Sequence, residues 1–133
     1  MACSACGSSA ISFAVPEEHR PDTPSGAAVV SFCPHCLTLE PAPDDETPTD
    51  DPDFARVSDQ FPTQPERAIP LALTIGLCSS LAMNRAAIES LLDAVERAGV
   101  DPLLVLDRLS ADPSVEPAVD LERRRHQLEQ LRY

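Results

Sequence analysis

The chain has 133 residues, with 22 acidic side chains against 10 basic ones, a net charge of −12, 14 Pro, one Tyr and no Trp. That length suits one or two small domains, and the longest apolar stretch (69–83) is too short for a membrane span of about 20 residues. With four Gly in all, a glycine-rich loop that cradles a nucleotide phosphate is not expected.

The charge also says something about solvent. All ten basic residues are Arg and Lys is absent. Such an acidic excess fits a chain adapted to strong salt, because at about 1 M salt the Debye length is only about 3 Å and self-repulsion is screened. A GC-rich codon bias would also remove Lys. A net negative chain ordinarily binds nucleic acid poorly, but in molar salt the phosphate term is already small, so charge does not decide the partner. "MACSACGSSA" has neither a basic nor an apolar leader segment, so a cytoplasmic protein with reduced thiols is expected.

In chain order, the first feature is "CSACG" at 3–7. "AISFAV" (10–15) then alternates Ile11, Phe13 and Val15 on one side, as a strand does. "PEEHRPDTPSG" suits a hairpin loop, and "AAVVSF" (27–32) gives a second strand through Val30 and Phe32. "CPHC" follows at 33–36, and "LTLE" (37–40) suggests a third strand through Leu37 and Leu39. Residues 41–53 hold six carboxylates and four prolines and form no core, which makes them a linker. Phe54, Val57 and Phe61 are expected to dock onto a neighbouring helix rather than to bind a partner.

From residue 69 the apolar period becomes helical. Leu73, Leu77 and Leu81 are spaced by four, and Ile88, Leu91, Leu92 and Val95 follow the amphipathic rule. Asn84 is a candidate N-cap, Gly99 a C-terminal stop, and Asp101-Pro102 a helix start. Residues 118–133 read as a last helix with Leu121, Leu128 and Leu131 on one side. The predicted fold class is α+β. A small β zinc ribbon (1–40) leads through an acidic Pro-rich linker (41–68) to a helical domain of three to four helices (69–133).

The chemistry lies in the cysteines. Cys3, Cys6, Cys33 and Cys36 form two Cys-x-x-Cys pairs with two strands and a loop between them. Each pair supplies two thiolates to one side of a tetrahedron, and Gly7 permits the dihedral that such a knuckle needs. A module this short, whose apolar side chains are few, buries too little to fold alone, and a bound structural zinc contributes on the order of 10 kcal/mol. One structural zinc ion is therefore expected. Four thiolates close the site, whereas catalytic zinc keeps an open position, so the protein is read as a non-enzymatic module. Three rivals use the same cysteines. "VVSFCPHC" resembles the active-site motif of thiol oxidoreductases with a thioredoxin fold, but "LTLEPAPDD" provides no following helix to lower a thiol pKa. Iron in a rubredoxin-like site takes the same ligands, usually among more aromatic residues. Two disulfides would require an exported chain.

Elsewhere the signals are plainer. His35 and His19 are expected to face solvent, and Cys78 to be a buried small hydrophobe. "ERRRHQ" (122–127) is the one basic cluster, and its spacing suits helix ion pairs of about 0.2–0.5 kcal/mol each. Arg123, Arg124 and Arg125 are nonetheless the candidate partner contact. A protein partner is favoured over nucleic acid, with a transcription or translation accessory role as the alternative.

"CSACG…CPHCL" resembles zinc ribbons in general. Together with "LAMNRAAIESLLDAVERAGVDPLLVLDRL" (81–109) and "DLERRRHQLEQL" (120–131), the chain resembles a family of uncharacterised haloarchaeal zinc-ribbon proteins. That resemblance implies a halophilic cytosolic protein, metal ligands at Cys3, Cys6, Cys33 and Cys36, and no particular activity.

Overall fold

The computed structural model describes residues 3–23, 26–42, 47–48 and 51–132. Pro24 and Ser25 of the hairpin loop, positions 43–46 and 49–50 of the linker, and Tyr133 lie outside the described residues. The architecture is α+β, as expected: an antiparallel three-stranded sheet carries the cysteines and is followed by four helices.

The sheet consists of β1 (Ile11–Ala14), β2 (Val29–Phe32) and β3 (Leu39–Pro41), in that spatial order. Its register pairs Ile11 with Phe32, Phe13 with Val30, and Phe32 with Leu39. The alternating apolar residues of β1 and β2 therefore share one face. Beyond β1, the Val15 amide still bonds the Ala28 carbonyl at 2.8 Å. Between the first two strands, Glu17–Asp22 forms a short 3-10 turn. The third strand starts later than the sequence suggests. Leu37 is not in it: at φ 63 this residue belongs to the preceding turn.

The helices are α1 (Pro65–Leu77), α2 (Arg85–Arg97), α3 (Pro102–Ala111) and α4 (Leu121–Arg132). The first begins at Pro65, ahead of the apolar run from 69, because a proline at the first position needs no amide partner. Two ends follow local chemistry. Gly99 at φ 90 closes α2, with the Val100 amide on the Val95 carbonyl and the Gly99 amide on the Glu96 carbonyl. Asp101 caps α3 by accepting from the Leu104 amide at 3.2 Å. Asp120 does the same for α4 through the Arg123 amide.

Asn84 precedes α2 but does not cap it with its side chain. Its side-chain amide instead donates to the carbonyls of Leu77, the last residue of α1, and of Ser80 in the turn after it. The aromatic residues after the linker also find a different partner. Phe54 packs edge-on against Phe13 at 5.4 Å, and Phe61 stacks near Phe32 and Phe54 at 6.2 and 6.0 Å. They thus dock on the side chains of the sheet. Arg56 secures their turn by donating to the Ser9 carbonyl at 2.7 Å. One continuous core results, running from Ile11, Phe13 and Phe32 through Phe54 and Phe61 to Leu73, Leu92, Leu106 and Leu128. Among the described residues, no helix is long and apolar enough to cross a membrane.

Candidate metal centre

Two turns of the same design flank the sheet. In the first, the Gly7 amide bonds the Cys3 carbonyl at 2.9 Å and the Cys3 amide bonds the Ser8 carbonyl at 2.7 Å. In the second, the Leu37 amide bonds the Cys33 carbonyl at 3.0 Å and the Cys33 amide bonds the Thr38 carbonyl at 2.9 Å. Each turn needs a left-handed residue just after its second cysteine. Gly7 (φ 79) adopts that conformation freely, whereas Leu37 (φ 63) does so at a cost of about 1–2 kcal/mol. Leu37 is buried in the core, which offsets the strain.

The antiparallel pairing of β1 and β2 brings the two turns together. All four sulfurs of Cys3, Cys6, Cys33 and Cys36 lie within 4.8 Å of one another. Cys6 and Cys33 are 3.5 Å apart, and Cys3 and Cys36 are 3.6 Å apart. A tetrahedron with metal–sulfur bonds of about 2.3 Å has edges of about 3.8 Å, so the cluster has the size of a single-ion site. The same distances are far beyond a disulfide of about 2.05 Å, and all five cysteines are free thiols. The donor set therefore fits one soft divalent ion.

Polar groups surround the sulfurs. The amides of Ala5 and Cys36 point at the sulfurs of Cys3 and Cys33, at 3.4 and 3.5 Å. The Thr38 hydroxyl sits 3.1 Å from the Cys36 sulfur. Hydrogen bonds from the Ser8 hydroxyl and amide hold Cys6 down to about 6. Burial pushes Cys33 up to about 12 and also raises Cys36. In the metal-free chain Cys6, Cys33 and Cys36 are thus unequal, although a bound ion would require its ligands as thiolates. The roles of Ser8 and Thr38 were readable from the paired strings "CSACGS" and "CPHCLT", which repeat a hydroxyl residue two places after the second cysteine.

The helical region reaches the second turn. The Glu116 amide bonds the His35 carbonyl at 2.8 Å, and the Ala118 amide bonds the Cys36 carbonyl at 2.9 Å. His35 is half-exposed, with Nε2 3.4 Å from a Glu116 carboxylate oxygen. His19 is less exposed than the sequence suggests and lies 3.8 Å from Glu18. No sequence pattern announced the contact of 116–118, since it joins stretches some eighty residues apart. The hydroxyl of Ser4 also bonds the Glu40 carboxylate, tying the first turn to β3.

The other singled-out residues lie elsewhere. Cys78 is buried, and loss of solvation pushes its thiol up to about 12, with Arg124 acting in the opposite sense. Consecutive helix positions are about 100° apart, so Arg123, Arg124 and Arg125 fan over more than half of α4. Arg124 donates to Gln127 at 2.8 Å, and Arg125 faces Asp107 and Glu129 at 3.9 and 3.5 Å. Arg123 is exposed. The three do not converge on one patch.

A family model described as a family of unknown function (DUF6276) matches residues 2–132. No curated protein and no solved structure matches the chain.

Proposed function

The chain belongs to this family of unknown function, and from its own site we propose that it is a non-enzymatic binding module whose four cysteines hold one structural zinc ion. The observation that carries this reading is the closure of all four sulfurs to within 4.8 Å on two matched turns. Four thiolates complete a tetrahedron and leave no position for water or substrate, which favours a structural ion over a catalytic one. Elemental analysis of the purified chain tests it. One zinc per chain and a colourless solution are expected. A red protein containing iron, or a chain without metal, overturns the reading.

For the partner, a protein is favoured over nucleic acid. Arg125 is paired with Asp107 and Glu129 and Arg124 is tied to Gln127, so the three clustered arginines do not offer phosphates one free basic patch. Met83, in the turn between α1 and α2, is 88% exposed and offers the flexible thioether that suits protein contacts. A photo-crosslinker at position 83 is expected to capture a protein in molar salt, while one at Arg123 captures none. Nucleic acid recovered at either position would favour the accessory role.

A further inference from the structure

The four ligands do not present themselves equally to solvent. Cys3, Cys33 and Cys36 are buried, whereas Cys6 is exposed, together with its neighbours Ser4, Ala5 and Gly7. An oxidant arriving from solvent therefore meets one sulfur first. That sulfur has Cys33 beside it at 3.5 Å, across the gap between the two turns. The arrangement combines an accessible sulfur with an adjacent buried one, the layout of a peroxide-sensitive pair.

We propose that Cys6 is an oxidation site that opens the metal centre, with Cys33 as the resolving thiol and a Cys6–Cys33 disulfide as the product. The proposal rests on the zinc reading above. Its co-reactant is a peroxide. The Cys6 sulfur attacks one peroxide oxygen, an S–O bond forms and the O–O bond breaks, and the departing hydroxide takes a proton and leaves as water. The Cys33 thiolate then attacks the Cys6 sulfenic sulfur. An S–S bond forms, the S–O bond breaks, and a second water leaves. Two thiolates are oxidised by two electrons, one peroxide is reduced to two waters, and two protons are consumed. Cys3 and Cys36 alone cannot complete a tetrahedron, so the ion departs with the disulfide.

The choice of Cys33 is geometric: Cys6 and Cys33 are 3.5 Å apart, and although Cys36 also contacts the Cys6 sulfur, Cys36 has the buried Cys3 beside it at 3.6 Å. Cys78 is 1% exposed and serves as an internal reference that should stay reduced.

The test uses the full chain after its zinc content has been measured. Peroxide is added at about half an equivalent in the presence of a colour-forming chelator, and cysteine states are mapped by peptide mass spectrometry, with a sulfenic-acid trap in a parallel sample. About half of the zinc should be released, with one Cys6–Cys33 disulfide per ion and trapped sulfenic acid at Cys6 alone. First oxidation at another cysteine, a Cys3–Cys6 or Cys6–Cys36 product, or disulfide formation without metal release would each overturn the proposal. Zinc retained with all thiols intact under a tenfold excess of peroxide would do so too. A chain that purifies without metal overturns the zinc reading and this inference together, whereas a loaded chain that resists peroxide overturns the inference alone. A Cys6→Ser variant removes one of the four ligands, so the decision rests on the unaltered chain.

Discussion

Leu37 holds a backbone conformation that its own side chain disfavours, and the two effects can be separated. Leu37→Ala keeps the left-handed strain and loses the buried side chain, a loss of about 2–5 kcal/mol for a core leucine. Leu37→Gly loses the side chain as well but relieves the strain. Glycine is therefore expected to be about 1 kcal/mol less destabilising than alanine in denaturant titration of the metal-loaded chain. The reverse order would show that the turn, not the residue, sets the strain. The thiols make a second case. Burial leaves Cys33 at about 12 and Cys36 raised, so both carry protons at pH 7 before an ion enters. Loading ejects those protons, and each one weakens apparent binding tenfold per unit of acidification. Zinc affinity, measured by chelator competition, should therefore fall at least about a hundredfold per unit between pH 8 and pH 6. Cys6, held near 6, adds a further proton only below that pH and steepens the slope there. A slope near zero would mean that the buried thiols are already ionised.

Among the elements, α1 packs tightly on β3 at one position. Gly76 faces Leu39 so tightly that an added methyl would overlap the Leu39 Cβ and its branched end. On a free helix surface, Gly→Ala adds about 1 kcal/mol of stability. Here Gly76→Ala is expected to cost about 1–3 kcal/mol instead, the usual range for overpacking. Pairing it with Leu39→Ala should recover part of the loss, and a double-mutant cycle measures that coupling. Simple additivity would mean that the helix shifts away without resistance. This contact also marks the limit of what the sequence discloses. Asp101-Pro102 and Gly99 announce the junction of α2 and α3 because caps act within a few residues. The cysteine spacing announces the four-sulfur cluster because knuckles are local too. Nothing local distinguishes Gly76 from a weak helix residue, Leu37 from a strand residue, or Asn84 from an N-cap. Phe54 and Phe61 were plainly apolar, yet their docking on Phe13 and Phe32 depends on the folded sheet.

At the scale of the whole molecule, the sheet and helices share one core, and the buried members of the four-cysteine cluster form a second group apart from it. The segment before α4 hangs its amides on the carbonyls of His35 and Cys36, inside the second turn. Loss of a bound ion would therefore loosen more than the ribbon. A structural zinc contributes on the order of 10 kcal/mol, comparable with the whole folding free energy of about 5–15 kcal/mol of a small domain. Self-repulsion of a net charge of −12 lowers that total further at low salt. At about 0.1 M salt, chelation should abolish helical ellipticity in the same transition that releases zinc. At about 2 M salt, where the Debye length is near 2–3 Å, the metal-free chain should retain more helix, and the loaded chain should melt at a higher temperature. Circular dichroism alongside a zinc indicator measures both. If the helical signal survives chelation at low salt and then melts cooperatively, the helices have a core of their own and the ion stabilises only the strands. Coincident loss is what the shared packing of Phe13, Phe54 and the helices requires, because a core without an internal boundary cannot give up one wall and keep the other.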